Sequence, residues 1–186
     1  LGFHPGAWRP DAFSGSLDGN GHSIRYRIEP VEGLSYYGLF SASSGAKFSN
    51  LILDCQIDAH LTEYGIIGSV VADAVNTTFA NIVTSGEIRV TSDDDGTEDR
   101  LSMGGICSGN AVCHSCIVNL NIDAQMDPSD WVIYDGISKG VQYSCDLGGQ
   151  VKLAGYIREA VLLRNAMNSS SSVSLDVSVA SSASVY

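Results

Sequence analysis

Positive charge is scarce in this sequence. Lys and Arg number 10 of 186 residues against 21 Asp and Glu, a formal net charge of −11. That excludes nucleic acid as a main partner, because phosphate contacts need clustered Lys and Arg. It also disfavours an anionic membrane surface. Long apolar runs are absent too, and none approaches the ~18 residues of a membrane span. No basic-apolar-small leader stands at the start. Leu1 is not an initiator Met, which implies a processed or trimmed N-terminus. Helical periodicity is rare, and prolines number only 4. Hydrophobics are 44% and charged residues 17%, a composition that folds.

What is present is repetition. Gly followed by apolar residues recurs as Gly38-Leu-Phe40, Gly65-Ile-Ile67, Gly105-Ile-Cys107 and Gly136-Ile137, with a degraded Gly155-Tyr-Ile157. Between these marks lie short alternating strands opened by Asn or Cys: Asn50-Leu-Ile-Leu53, Asn81-Ile-Val83, Cys116-Ile-Val-Asn-Leu120 and Cys145-Asp-Leu147. Period-two runs such as Ser23–Ile28, Val151–Leu153 and Val173–Val179 bury one face and wet the other. The 20 glycines supply the positive-φ corners of a chain that turns every few residues. Units of roughly 20–30 residues with short strands describe a β-solenoid, whose coils bury their apolar faces only by stacking. A β-sandwich is the alternative, although it needs no repeated Gly-apolar mark. The stretch Tyr156–Met167 has good helix formers and also fits the repeat register, so helix and coil strand both stand there.

The opening Phe13-Ser-Gly-Ser-Leu-Asp-Gly-Asn-Gly-His-Ser-Ile24 resembles the start of β-helix segments in bacterial surface proteins that carry GLUG repeats. Gly38-Leu-Phe40, Asn50-Leu-Ile-Leu53 and Gly104-Gly-Ile-Cys-Ser-Gly109 continue the likeness, and Trp8 and Pro10 fit the segment before it. The resemblance covers residues 3–125 well and 126–186 loosely. It implies an all-β, right-handed parallel β-helix, here of about five or six coils. Residues 1–186 then form one solenoid domain, a fragment of a larger extracellular or cell-surface protein. Residues 92–100 are an acidic loop insertion, and 156–186 are degenerate C-terminal coils or a cap. The role it implies is adhesive or structural rather than catalytic. Physically, Asp18-Gly19 and Asn20-Gly21 are strong turn dipeptides, Leu17 and Ile24 point inward, and Asp18 and Asn20 lock the corner. His22 reads as a structural residue of that turn.

The functional signals are few. Asp93, Asp95, Glu98 and Asp99 lie in one dense carboxylate loop with Asp94, read as a solvated loop or as a calcium site. Otherwise no cofactor is indicated. Tyr36, Tyr37, Trp131 and Tyr134 are the candidate ligand contacts, with core aromatics as the competing reading. The five cysteines include Cys113-His-Ser-Cys116, for which buried packing, a local disulfide and half a metal site are all weighed. No second CxxC or HxxxH completes a zinc site. Asn76-Thr-Thr78 and Asn168-Ser-Ser170 match the glycosylation tripeptide. No local pair of catalytic carboxylates or polygalacturonase-type set is present, so the expectation is a non-catalytic module for a glycan or protein. An uncapped coil end would expose a strand edge, implying a preceding domain or self-association through coil ends. A polysaccharide-active enzyme or phage spike module, and a filament subunit, are the alternatives.

Overall fold

The structure is a computed structural model that describes residues 12–93 and 98–179. It is all-β, with every strand pairing parallel. The chain winds as a β-solenoid of about four turns. Parallel pairing between segments roughly 30 residues apart needs a long return path, and here the return is the rest of the coil. A sandwich of hairpins would instead pair antiparallel.

Three faces run along the solenoid. Face 1 stacks Ser16–Asp18, Lys47–Ser49, Val71–Ala80, Asn110–His114, Val141–Tyr143 and Ala166–Met167. Phe40–Ser44 joins it beside the start of Val71–Ala80. Face 2 stacks Ser23–Ile28, Ile52–Leu61, Val83–Ser92, Ile117–Gln125, the start of Asp146–Ala160, and Ser174–Val179. Face 3 stacks Tyr36–Tyr37, Tyr64–Gly68, Arg100–Gly104, Trp131–Tyr134 and the end of Asp146–Ala160. Asp146–Ala160 runs unbroken round one corner and so fuses faces 2 and 3 into one sheet.

The core follows from alternation. Along face 2, Leu53, Thr84, Val118 and Leu147 form one inward column, and Ile57, Ile88, Ile122 and Val151 another. Between them Cys55, Gly86, Leu120 and Gly149 alternate bulk with its absence. Gly86 has φ +124°, and a Cβ there would fall 1.9 Å from the carbonyl oxygen of Cys55. Under face 1, Phe13, Phe40, Phe48 and Phe79 pack ring on ring, the last two nearly parallel with centroids 5.2 Å apart.

The corner between faces 1 and 2 is one residue in the left-handed region. Asn50, Asn81, Ser115, Ser144 and Asn168 hold it at φ of 52°, 55°, 52°, 52° and 51°. Asn tolerates that conformation best among non-glycine residues. Asn81 Nδ2 donates to Asn50 Oδ1 at 3.1 Å, and Asn50 Nδ2 donates to Asp18 Oδ1 at 3.0 Å. Asp18 Oδ1 also accepts the Asn20 amide at 2.9 Å, and these bonds hold its carboxyl below the usual range.

The register corrects the repeat alignment drawn from sequence. The residues equivalent to Asn50 and Asn81 are Ser115 and Ser144, whereas Cys116 and Cys145 continue the buried column of Leu51 and Ile82. Gly65 pairs with Leu101, and Gly68 is the partner of Gly104. Gly155 belongs beside Val179 rather than in the Gly-apolar column. A helix over 156–167 does not form, and the described residues contain none. Tyr156 and Ile157 instead pair with Trp131 and Val132, so ladder position overrides helix propensity.

Candidate functional site

Outside face 3 lies a groove of about 970 Å³. One wall is the outward side of the face. The other is formed by Asp73, Ser108 and Lys139, which follow the next bend of successive coils. Thr62, Glu63, Glu98 and Asp99 make the rim.

The outward column of face 3 is a ladder of flat rings and cations. Tyr64, Arg100 and Trp131 are register partners in three consecutive coils. In the fourth coil the register partner of Trp131 is Tyr156, and Arg158 joins the column from outside the register: Val132 pairs with Ile157, but Ile133 pairs with Glu159, so Arg158 is the extra residue. Such a bulge re-aims a side chain. Arg100 and Arg158 reach Trp131 from the rungs on either side, their Cζ atoms 4.8 and 4.3 Å from its centroid. Both contacts are within cation–π range. Tyr64 is 42% exposed, and Tyr36 meets its ring edge-on at 6.1 Å.

The strand ends at this groove are anchored from inside. Asp130 is fully buried and accepts the amides of Asp99 at 2.9 Å and Asp127 at 3.2 Å. Ser92 Oγ donates to the same carboxylate and accepts the Asp127 amide at 3.0 Å. One carboxylate thus ties three segments at the corner from which Arg100 and Trp131 depart. Lys139 Nζ donates to Ser102 Oγ at 3.2 Å and lies 3.8 Å from Asp135. Burial pushes the Asp135 carboxyl up, against the opposing pull of Lys139 and Arg164. Arg164 donates to its Oδ1 from two nitrogens, at 3.1 and 2.9 Å.

The aromatics named from sequence divide by strand parity. Tyr36 and Trp131 are part-buried on the groove side. Tyr37 and Tyr134 are both 0% exposed, because neighbours in a strand point to opposite faces. The Tyr37 hydroxyl donates inward to the His60 carbonyl at 3.3 Å, and burial pushes the Tyr134 hydroxyl up. Neither therefore offers a ligand-contact surface in this structure, which is a core assignment for both.

The carboxylate loop divides as well. Asp93 engages His60 Nε2 at 3.1 Å, Glu98 is exposed, and Asp99 is buried on the Asp130 side. Asp95 lies outside the described residues. Among the described residues, no three His, Cys, Asp or Glu are placed to hold a metal ion. The five cysteines are all buried thiols. Cys116 donates its amide to Cys145 Sγ at 3.5 Å, and the burial of Cys55 pushes its thiol up to about 11.

Arg158, Tyr64 and Lys139 were not legible as site residues, and Arg100 was legible only as a neighbour of the acidic loop. Tyr64, Arg100 and Trp131 each open a face-3 strand, so alignment on Gly68 and Gly104 would have brought the first two together. The bulge hides Arg158 from any such alignment.

Comparison with known proteins finds no matching family model, no matching curated protein and no matching solved structure.

Proposed function

We propose that this chain is a non-catalytic adhesive or structural module of the cell surface or extracellular space, and that face 3 is its ligand-holding side. The observation that carries the reading is the column of Tyr64, Arg100 and Trp131 on successive rungs beside the groove, closed by Arg158 from the bulge of the next coil. Side chains fixed on a stacked lattice lose little ordering entropy when a ligand arrives. The sequence resemblance to GLUG-repeat surface proteins supports the same reading. With it go a right-handed winding and a count of five or six coils. Face 2 ends, among the described residues, on the edges of Ser23–Ile28 and Ser174–Val179, which a further domain or a second copy would cover.

A polysaccharide-active enzyme is the second reading, because Glu63, Asp73 and Glu98 line the same groove. Incubating the purified chain with a polysaccharide panel, with and without calcium, separates the two. Retention without new chain ends is the expected result. A calcium requirement would assign the 93–99 loop a metal. Release of new chain ends would overturn the non-catalytic reading. Retention on no polymer, with sedimentation that rises with concentration, would leave the filament reading instead.

A further inference from the structure

Four of the described arginines are already spent on carboxylates. Arg25 pairs with Asp54, Arg27 with Glu29 and Asp58, Arg89 with Glu87 and Asp58, and Arg164 with Asp135 and Glu159. Among the described residues Arg100 and Arg158 have no carboxylate partner, although the chain carries 21 Asp and Glu. Both lie on Trp131 instead. Stacking holds a guanidinium flat and uses its face. The N–H edge remains open for a planar, two-oxygen anion.

The same geometry argues against a neutral sugar at this point. Stacking a pyranose needs an open ring face, and Trp131 has a guanidinium approaching from the rung on each side. Lys139 also lines the groove, with its charge shared with Asp135 at 3.8 Å. The two arginines flank Trp131 by different routes, Arg100 in register and Arg158 through the bulge. Successive rungs are ~4.8 Å apart, so Arg100 and Arg158 sit about 10 Å apart along the solenoid.

We propose that the face-3 groove binds an acidic polysaccharide, its carboxylate or sulfate groups held by Arg100 and Arg158 across Trp131. This rests on the adhesive reading of the groove and specifies its ligand class. The whole chain has net charge −11, and Glu63, Asp73, Glu98 and Asp99 line the same groove, so the two arginines hold an anion by position rather than by bulk attraction.

The test measures affinity of the purified chain for polygalacturonate, for heparin as the sulfated arm, and for neutral dextran, at several salt concentrations. Binding to one or both acidic polymers but not to dextran is expected, weakening as salt rises. Arg100→Gln and Arg158→Gln should each weaken it by about tenfold. Lys152→Gln, an exposed cation on face 2, should leave it unchanged. Far-ultraviolet dichroism confirms that each variant is folded. Arg158→Lys, which keeps charge but not the fork, should recover only part of the loss. Equal binding of dextran, insensitive to both arginines, would overturn this inference and leave the adhesive reading intact. Competition by free galacturonate or sulfate as effective as the polymer, compared per charge, would reduce the site to a small-anion pocket and overturn the polymer claim. Binding to none of the three polymers would count against both readings, and retention on a protein ligand alone would overturn this one.

Discussion

Faces 2 and 3 are built from the same coils and the same alternation, yet their outer sides are finished differently. On face 2 the arginines are paired with carboxylates. Arg25 reaches Asp54 at 2.7 Å, Arg89 reaches Glu87 at 2.7 Å, and His60 bridges Thr91 and Asp93 at 3.0 and 3.1 Å. On face 3 the cations lie on an aromatic ring beside a groove. The lesson is that a lattice of rungs specifies position, while the choice of neighbour decides whether a charge is used up. A guanidinium paired to a carboxylate presents little to a ligand. One stacked on indole keeps its donors and loses its mobility.

The largest blow to this comparison would come from below the surface of face 2. Gly86→Ala places a Cβ against the Cys55 carbonyl and demands a positive φ, so it should destabilise the fold by about 3 kcal/mol. Urea unfolding measures this, and a change within error would show that the face-2 columns do not fix the lattice. A smaller effect sharpens the contrast between the faces. Arg89→Gln and Arg158→Gln should each alter stability by less than about 1 kcal/mol, since both are exposed. Only the second should lower ligand affinity. Equal loss of affinity in both would make the cations interchangeable and erase the distinction between paired and stacked arginines.

How much of this was legible in the sequence depends on which physical rule each residue obeys. The solenoid was legible because period-two runs and glycine corners recur, and Leu17, Ile24, Asp18 and Asn20 behave as local turn chemistry requires. The coil alignment slipped because corner and core columns differ by one residue. A Ser at 115 or 144 takes the left-handed corner that Asn takes at 50 and 81, and the conspicuous cysteines stand next to it. Tyr37 and Tyr134, for which a core position was the competing reading, could not be sorted from Tyr36 and Trp131 because composition marks an aromatic without saying which way its strand parity turns it. Trp131 was named as a candidate, but the two arginines that lie on it were not. Arg100 lies 31 residues before it, and Arg158 reaches it only through a bulge. Asp130 gave no signal at all, since two of its three partners, Ser92 and Asp99, come from the preceding coil and only Asp127 is local.

The central claim is that ligand engages face 3 and leaves face 2 alone. Nuclear magnetic resonance of the labelled chain, titrated with an oligogalacturonide, tests it most directly. The account expects shifts concentrated at Tyr64, Arg100, Ser102, Trp131 and Arg158, with the Trp131 indole N–H among the largest. Shifts centred on Arg25, Asp54, Glu87 and Arg89 would contradict it, because they would place the ligand on the face whose charges are already paired.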